Sequence, residues 1–527
     1  MNLNQSLLRA ISLWPDNQAV ADGQVQYTYR ELGERVAALA AALRSARVMQ
    51  SDVVGVIAPN CHEYLELYYA AAFSGVVLNP VNYRLNPEEI DEILSDCDVR
   101  VLFVHQDFQD TALKLLAKHS KIRLVIWLGL GTSPETEVKS QRYEPFLLSG
   151  QGAQLPSELP ESYDLAQLYY TSGTTGRSKG VMISHENAYI NALGAVTELN
   201  LSDADCWAHL APMFHLVDAW AVWAITMVGG KHTFLPYFKA ADVLPLLEKE
   251  KVTITALVPT MLGLLLSSPK SWEYSYPDLR MIMTAGSPIA PDLVRQVGDV
   301  FACDYVQFYG MTETSPFLTI SLPYASHRHL PDRRLQEIKA TTGRPFICAE
   351  VKVVKDDGKE VVRDGVEVGE IIARGPTVTK GYWNKPQQTG ETIRRGWIHT
   401  GDLAVVNEDG YINIVDRKKD MIITGGENVY STEVEHVLYE HPGVLECAVL
   451  GVPDESWGEI VKAVVVAQPG HEPSEAELIE LVQSKLARYK APKSIDFIDE
   501  MPKTGSGKIY KKKLRERYWQ GRERKVH

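Results

Sequence analysis

The sequence predicts an α/β protein: a large N-terminal part of layered, mostly parallel sheet covered by helices, then a small α+β domain. Three observations predict this. Between Tyr27 and Gly310, apolar runs of strand length alternate with segments whose apolar residues recur at helical spacing, the rhythm of a parallel sheet covered on both faces. From about Gly343, short strands separated by turn signals take over. After Asp416 comes a compact run with its own alternating pattern, as a small domain beyond a hinge would show.

Taken in order, Tyr27 to Ala46 carries the spacing of an amphipathic helix, and Val53 to Asn60 reads as a buried strand. A helix pattern around Glu63 to Ala72 and a strand at Val101 to Val104 follow. The rhythm returns at Val252 to Thr260, Leu279 to Gly286 and Cys303 to Gly310. Asp409-Gly410 marks a hairpin in the strand-rich stretch. The basic tail from Lys511 is most simply a solvated terminal helix. The expected boundaries are a 1–416 domain, a 417–420 hinge and a 421–527 domain.

Composition narrows the function classes. With 45% hydrophobic and 23% charged residues the chain is an ordinary globular protein. A net charge of −13 disfavours nucleic acid as the main partner. The six cysteines (Cys61, Cys97, Cys206, Cys303, Cys348, Cys447) have no metal-ligand or CxxC spacing, so reduced, buried thiols are expected. The N-terminus lacks a secretory pattern. The longest apolar stretch, Ala219 to Gly230, falls short of the ~20 residues a bilayer span needs. The expectation is a cytoplasmic enzyme without a membrane span.

The strongest chemical signal is Tyr169-Tyr170-Thr171-Ser172-Gly173-Thr174-Thr175-Gly176-Arg177-Ser178-Lys179-Gly180-Val181. Glycines let backbone N–H groups approach an anion, and hydroxyls and cations add donors for phosphate oxygens. Composition alone leaves a flexible linker equally open. It is not a P-loop, because Lys179 precedes Gly180 rather than Ser or Thr. Gly505-Ser506-Gly507-Lys508 fails likewise, since Ile509 follows the lysine.

More motifs follow in order: Pro212-Met213-Phe214-His215, Thr284-Ala285-Gly286-Ser287-Pro288 and Tyr309-Gly310-Met311-Thr312-Glu313-Thr314. Then come His399-Thr400-Gly401-Asp402, Asp416-Arg417-Lys418-Lys419-Asp420, Gly425-Gly426-Glu427-Asn428 and Pro502-Lys503-Thr504-Gly505-Ser506-Gly507-Lys508. Together they resemble the adenylate-forming superfamily: acyl-CoA synthetases, peptide-synthetase adenylation domains and firefly-type luciferases. The look is nearest to medium- and long-chain fatty acyl-CoA synthetases, with aryl acid ligases close behind. The resemblance covers essentially the whole chain, and it implies a distorted β-barrel subdomain and a mobile C-terminal domain.

It also implies roles. Thr171 to Lys179 (Thr171, Ser172, Gly173, Thr174, Thr175, Gly176 and Lys179) would cradle the β- and γ-phosphates of ATP. Tyr309 would stack on adenine, with Gly310 beside it and Gly286, Ser287 and Pro288 as the opposite wall. Thr312 would hold the α-phosphate and Glu313 would bind Mg2+, a hard cation suited to carboxylate and phosphate oxygens. Asp402 would accept the ribose hydroxyls, with Arg417 nearby. Lys508 would stabilise charge developing during adenylation. His215 would gate or position the acyl carboxylate. Lys419 would be the hinge about which the small domain rotates between half-reactions. Gly425 and Gly426 would line the pantetheine tunnel, and Trp457, with Tyr489 as a second aromatic, would stack on the adenine of coenzyme A. Ala491 stands where such relatives can have an arginine.

The resemblance thus implies an acid:CoA ligase that turns a carboxylate and MgATP into acyl-AMP and pyrophosphate, then acyl-CoA and AMP. The acyl pocket would draw on Phe214 to Trp220, Gly286 to Ala290 and Val306 to Gly310. Being mostly apolar, it suits an alkyl or aryl acid. Asp218 sits oddly there, and either points away or greets a polar group on the acid. No segment after Lys508 holds a serine-bearing carrier module, which favours coenzyme A over a carrier protein. The alternatives are a stand-alone loader of a carrier protein, a luciferase-like oxygenase and a catalytically dead nucleotide binder. Homodimers are common in the family, and no interface is legible in this sequence.

Overall fold

The computed structural model describes residues 1–119, 121–171, 178–287, 289–503 and 509–519. The chain divides into two compact units: 1–351 with 373–398, and 352–372 with 399–527. Residues 417–420 fall inside the second unit.

The first unit is built on two large sheets. The nine-stranded sheet runs in the order Arg344–Pro345, Phe317–Ile320, Asp304–Gly310, Met281–Ala285, Ile254–Leu257, Cys206–His209, Lys231–Phe234, Gln18–Asp22, Val25–Thr28. From Asp304–Gly310 to Gln18–Asp22 every pairing is parallel, and antiparallel strands close both edges. The seven-stranded sheet runs Ser140–Arg142, Leu124–Leu128, Val101–His105, Val53–Ile57, Val77–Pro80, Leu165–Thr171, Lys179–Ser184. Its central strands are buried on both faces, which is why Val53–Ile57 reads Val-Val-Gly-Val-Ile with no polar alternation.

Local sequence sets the helix ends. Tyr29–Ser45 starts at a Thr28/Glu31 capping box, and Pro87–Asp96 at an Asn86/Glu89 box with proline in its first turn. Leu216–Val228 ends at Gly229, whose φ of 77° suits glycine alone without strain. At Val252 to Thr260, where the strand–helix rhythm is expected to return, the strand Ile254–Leu257 is followed by the helix Pro259–Leu266, because Pro259 can open a helix but cannot continue a central strand.

A third sheet, a five-stranded half-barrel, takes in Glu350–Val354, Gly369–Arg374, Trp397–Val406, Ile393–Arg394 and Ile412–Arg417. The C-terminal α+β domain packs the helices Ser431–Tyr439 and Glu475–Lys485 on a sheet led by the long hairpin Val444–Asp454 and Gly458–Ala467. The basic tail does form a helix, Lys511–Glu516, but it is only partly solvated: Leu514 is buried and Lys511 and Arg515 turn inward to carboxylates. All six cysteines are free, four of them buried. Among the described residues no helix is long and apolar enough to cross a membrane.

Candidate active site

In the first unit the predicted residues gather at the carboxyl ends of parallel strands, where open α/β sheets place ligands. Met281–Ala285 runs into Gly286 and Ser287, and its neighbour Asp304–Gly310 ends in Tyr309 and Gly310, with Ala285 level with Phe308. Gln307 Nε2 donates to the Ser287 carbonyl at 3.3 Å, joining the two loops. Gly310 has a steric reason to be glycine: a Cβ there would lie 1.8 Å from the Pro316 carbonyl oxygen. Thr312 and Glu313 follow in the short turn Thr312–Thr314, with Glu313 7% exposed.

Two strands along, Cys206–His209 leads into the loop that carries Phe214 and His215. Asn60 latches this loop by donating to the His209 and Ala211 carbonyls and accepting from Met213 N–H. The Tyr68 hydroxyl donates to Met213 O at 2.7 Å and also meets the Tyr169 hydroxyl at 2.9 Å, tying the loop to the strand that leads to Thr171. His215 is half-buried and caps the helix Leu216–Val228. Asp218 does not greet a ligand. It is fully buried and accepts from His209 Nδ1 at 2.5 Å and Trp207 Nε1 at 3.2 Å.

Thr171 and Lys179 face each other in antiparallel register at the ends of Leu165–Thr171 and Lys179–Ser184. Ser172, Gly173, Thr174, Thr175 and Gly176, like Pro288 and Lys508, lie outside the described residues. Lys179 Nζ stands 4.9 Å from the centre of the Tyr382 ring, a cation–π arrangement. The Tyr382 hydroxyl donates to Glu313 Oε1 at 2.8 Å, and Thr379 N–H donates to Glu313 O. Burial first, then the Glu313 charge, pushes the Tyr382 hydroxyl above its ordinary value, so it stays a protonated donor. One tyrosine therefore brings Lys179 and Glu313 together, the two residues that the resemblance assigns to the phosphates and to Mg2+. A buried carboxylate with oxygen chemistry to offer fits Mg2+.

In the second unit, Asp402 and Arg417 are cross-strand partners in Trp397–Val406 and Ile412–Arg417, with Arg417 Nε donating to Asp402 Oδ1 at 3.2 Å. Gly425 and Trp457 meet as well: Gly425 N–H donates to Trp457 O at 2.9 Å, and a Cβ on Gly425 would come within 2.5 Å of the indole ring. Gly426 follows at φ 86°. The Trp457 side is open, at 55% exposure, and Tyr489 is 39% exposed. Burial pulls the Lys419 ammonium below its ordinary value.

The aspartates of the 416–420 motif both turn into their own unit. Asp416 accepts from Ser431 N–H and Oγ, and Asp420 accepts from Arg515 Nη2 at 2.7 Å. Lys511 Nζ lies 2.7 Å from both Ser431 Oγ and Glu435 Oε1. Sequence reasoning missed this cluster and Tyr382.

Two family models match the chain: AMP-binding enzyme over residues 7–383, and AMP-binding enzyme C-terminal domain over 433–508. A feruloyl-CoA synthase from Amycolatopsis sp is 38% identical over 512 residues, covering 97% of this chain and 98% of its own. The fatty acid–[acyl-carrier-protein] ligase ScoC of Streptomyces coeruleorubidus is 34% identical over 511 residues, covering 95% and 93%. Among solved structures, ATP-bound MatB from Rhodopseudomonas palustris superposes with a TM-score of 0.84 at 30% identity, covering 98% of this chain and 99% of the other.

Proposed function

The chain belongs to the AMP-binding enzyme family and is an AMP-forming acyl-CoA synthetase, and from that premise we propose that its acid is apolar, a medium- or long-chain fatty acid or an aryl acid. The observation that carries this is Asp218. The only carboxylate in the segments expected to form the pocket is fully buried and bonded to His209 and Trp207, so the charge the sequence places there is already engaged within the protein. The feruloyl relative supports an aryl acid among the candidates.

In the first step a carboxylate oxygen attacks the α-phosphorus of ATP and pyrophosphate leaves. His215 orients the carboxylate, Thr171 and Lys179 hold the outer phosphates, and Tyr309 stacks on adenine with Gly286 and Ser287 opposite. Thr312 bonds the α-phosphate, Asp402 with Arg417 holds the ribose, and Lys508 faces the charge that builds. Mg2+, held by Glu313, would neutralise phosphate charge. In the second step the coenzyme A thiol sulfur attacks the acyl carbon and AMP leaves, after rotation about residues 417–420 brings Gly425, Gly426 and Trp457 into play. The same proposal places the enzyme in the cytoplasm and allows a homodimer.

A second reading, loading of a separate acyl carrier protein, is favoured by the ScoC relative. A pyrophosphate-release screen over fatty, aryl and amino acids, with and without coenzyme A, separates the two. Turnover that needs coenzyme A and vanishes in Lys508→Ala supports the ligase. Pyrophosphate without any acyl-CoA points to the carrier protein.

A further inference from the structure

The helix Leu216–Val228 is apolar almost all round, with Trp220, Ala221, Val222, Trp223, Ala224 and Ile225 buried in succession. Hydrophobic packing is non-directional, so it holds such a helix without fixing its rotation or register. Beneath it runs one unbroken chain of directional bonds. His209 Nδ1 meets Asp218 Oδ2 at 2.5 Å, His209 Nε2 meets His232 Nδ1 at 3.0 Å, and His232 Nε2 meets Thr226 Oγ1 at 2.9 Å. All four side chains are 0% exposed. The chain leaves the helix in its first turn and returns to it about two turns later. Between those points it passes through the adjacent parallel strands Cys206–His209 and Lys231–Phe234.

Proton bookkeeping leaves three arrangements, in one of which Asp218, its pKa raised by burial, is protonated and donates to a neutral His209. If His209 is neutral and Asp218 ionised, His232 donates to His209, Thr226 donates to His232, and Asp218 is a lone buried anion. If His209 is an imidazolium, it donates at both ends and balances Asp218. The groups facing Asp218 from the packed elements are the Tyr68 and Tyr169 hydroxyls, and Lys231 on the neighbouring strand is engaged with Glu250. No other cation compensates Asp218 among the described contacts, and burial favours the arrangements that leave no lone anion. Burial, then His209, holds the His232 imidazole well below its ordinary value, so His232 stays neutral.

We propose that Asp218, His209, His232 and Thr226 are positioning residues for acid selection. By clipping both ends of one helix they fix its rotational setting, and with it His215 at its cap and the half-buried Val217. The inference rests on the reading above that these two residues line the acyl pocket. A buried polar chain of this kind sets uniqueness more than stability, since apolar replacements of similar volume are often neutral or stabilising.

That difference supplies the test. The combined variant Asp218→Leu, His209→Leu, His232→Leu, Thr226→Val is compared with wild type by pyrophosphate release over a panel of acids. The expected result is an unchanged or higher melting temperature, a KM for ATP within about twofold, and a preference between the best and second acid flattened about tenfold. A folded variant with the wild-type preference profile overturns the proposal. If it does not fold, Thr226→Val alone decides, since it is nearly isosteric and removes the hydroxyl that ends the chain, which also lies beside the Tyr29 and Tyr69 hydroxyls. It should narrow the preference two- to threefold and shift the hydrogen-bonded imidazole proton signals of His209 and His232. No change in either overturns the proposal. Because the readout is pyrophosphate, absence of acyl-CoA would sink the ligase reading without touching this one.

Discussion

Tyr382 holds Glu313 by a 2.8 Å hydrogen bond across 69 residues of sequence, while its ring faces the Lys179 ammonium. Hydrogen bonds to charged groups contribute roughly 1.5–3 kcal/mol. Tyr382→Phe keeps the ring and the cation–π contact but removes this hydrogen bond to the carboxylate. The Mg2+ concentration that half-saturates pyrophosphate release should rise about tenfold, with the fold intact by circular dichroism. An unchanged Mg2+ titration would show that Tyr382 does not orient the carboxylate proposed to bind Mg2+.

Gly425 has φ 60° and lies against the Trp457 ring. Gly425→Ala is strained in backbone and displaces the indole. Adenylation, followed by pyrophosphate exchange, should stay within about twofold, whereas the KM for coenzyme A should rise at least about tenfold. Equal losses in both half-reactions would count against a thiol-specific role.

Lys511 sits among Glu435, Ser431 and Asp416, with its side chain 17% exposed. Removing one partner of a largely buried ion pair typically costs about 3 kcal/mol, because the other charge is stranded. Lys511→Met should lower the second unit's denaturation midpoint accordingly, and adding Glu435→Gln should recover part of the loss. Since Lys508 precedes Lys511 by three residues, adenylation should fall more than thioester formation from preformed acyl-AMP. A loss unrelieved by the second substitution would mean the pair is not the source.

His62 gives a pH signature. Burial lowers its pKa, but the Asp22 carboxylate at 2.8 Å, with Glu63 and Glu66 nearby, outweighs burial and raises it to about 9. A folded pKa above the unfolded one stabilises fully below the ordinary histidine range, and that stabilisation is lost as pH rises through about 9. The loss is on the order of 3 kcal/mol between about pH 6 and pH 9.5. Urea midpoints of wild type and His62→Gln should converge at the upper pH, and parallel pH profiles would refute the assignment.

The strands and the named motifs were legible because they are local: Leu279 to Gly286 and Cys303 to Gly310 announce themselves within eight residues. What stayed hidden is long-range. Tyr382 sits in Gly381-Tyr382-Trp383, where nothing distinguishes a hydrogen-bond partner of Glu313 from a core aromatic until the fold sets the two side by side. Lys511 is one of three consecutive lysines, and only the fold turns one of them inward. Asp218 looked like a pocket residue because sequence shows its position on a helix but not that His209 waits on the strand beneath.

The stretch 379–383 does more than carry Tyr382. Lys179–Ser184 is the last strand of its sheet, and its outer rim is met by Met182 N–H donating to Gly381 O and Trp383 N–H donating to Gly180 O. An uncovered rim of that kind recruits other chains. A fragment of the first unit that stops short of Thr379 should therefore self-associate, whereas one extended through 398 keeps the rim sealed, which makes the end point of any truncation a question of solubility rather than of catalysis.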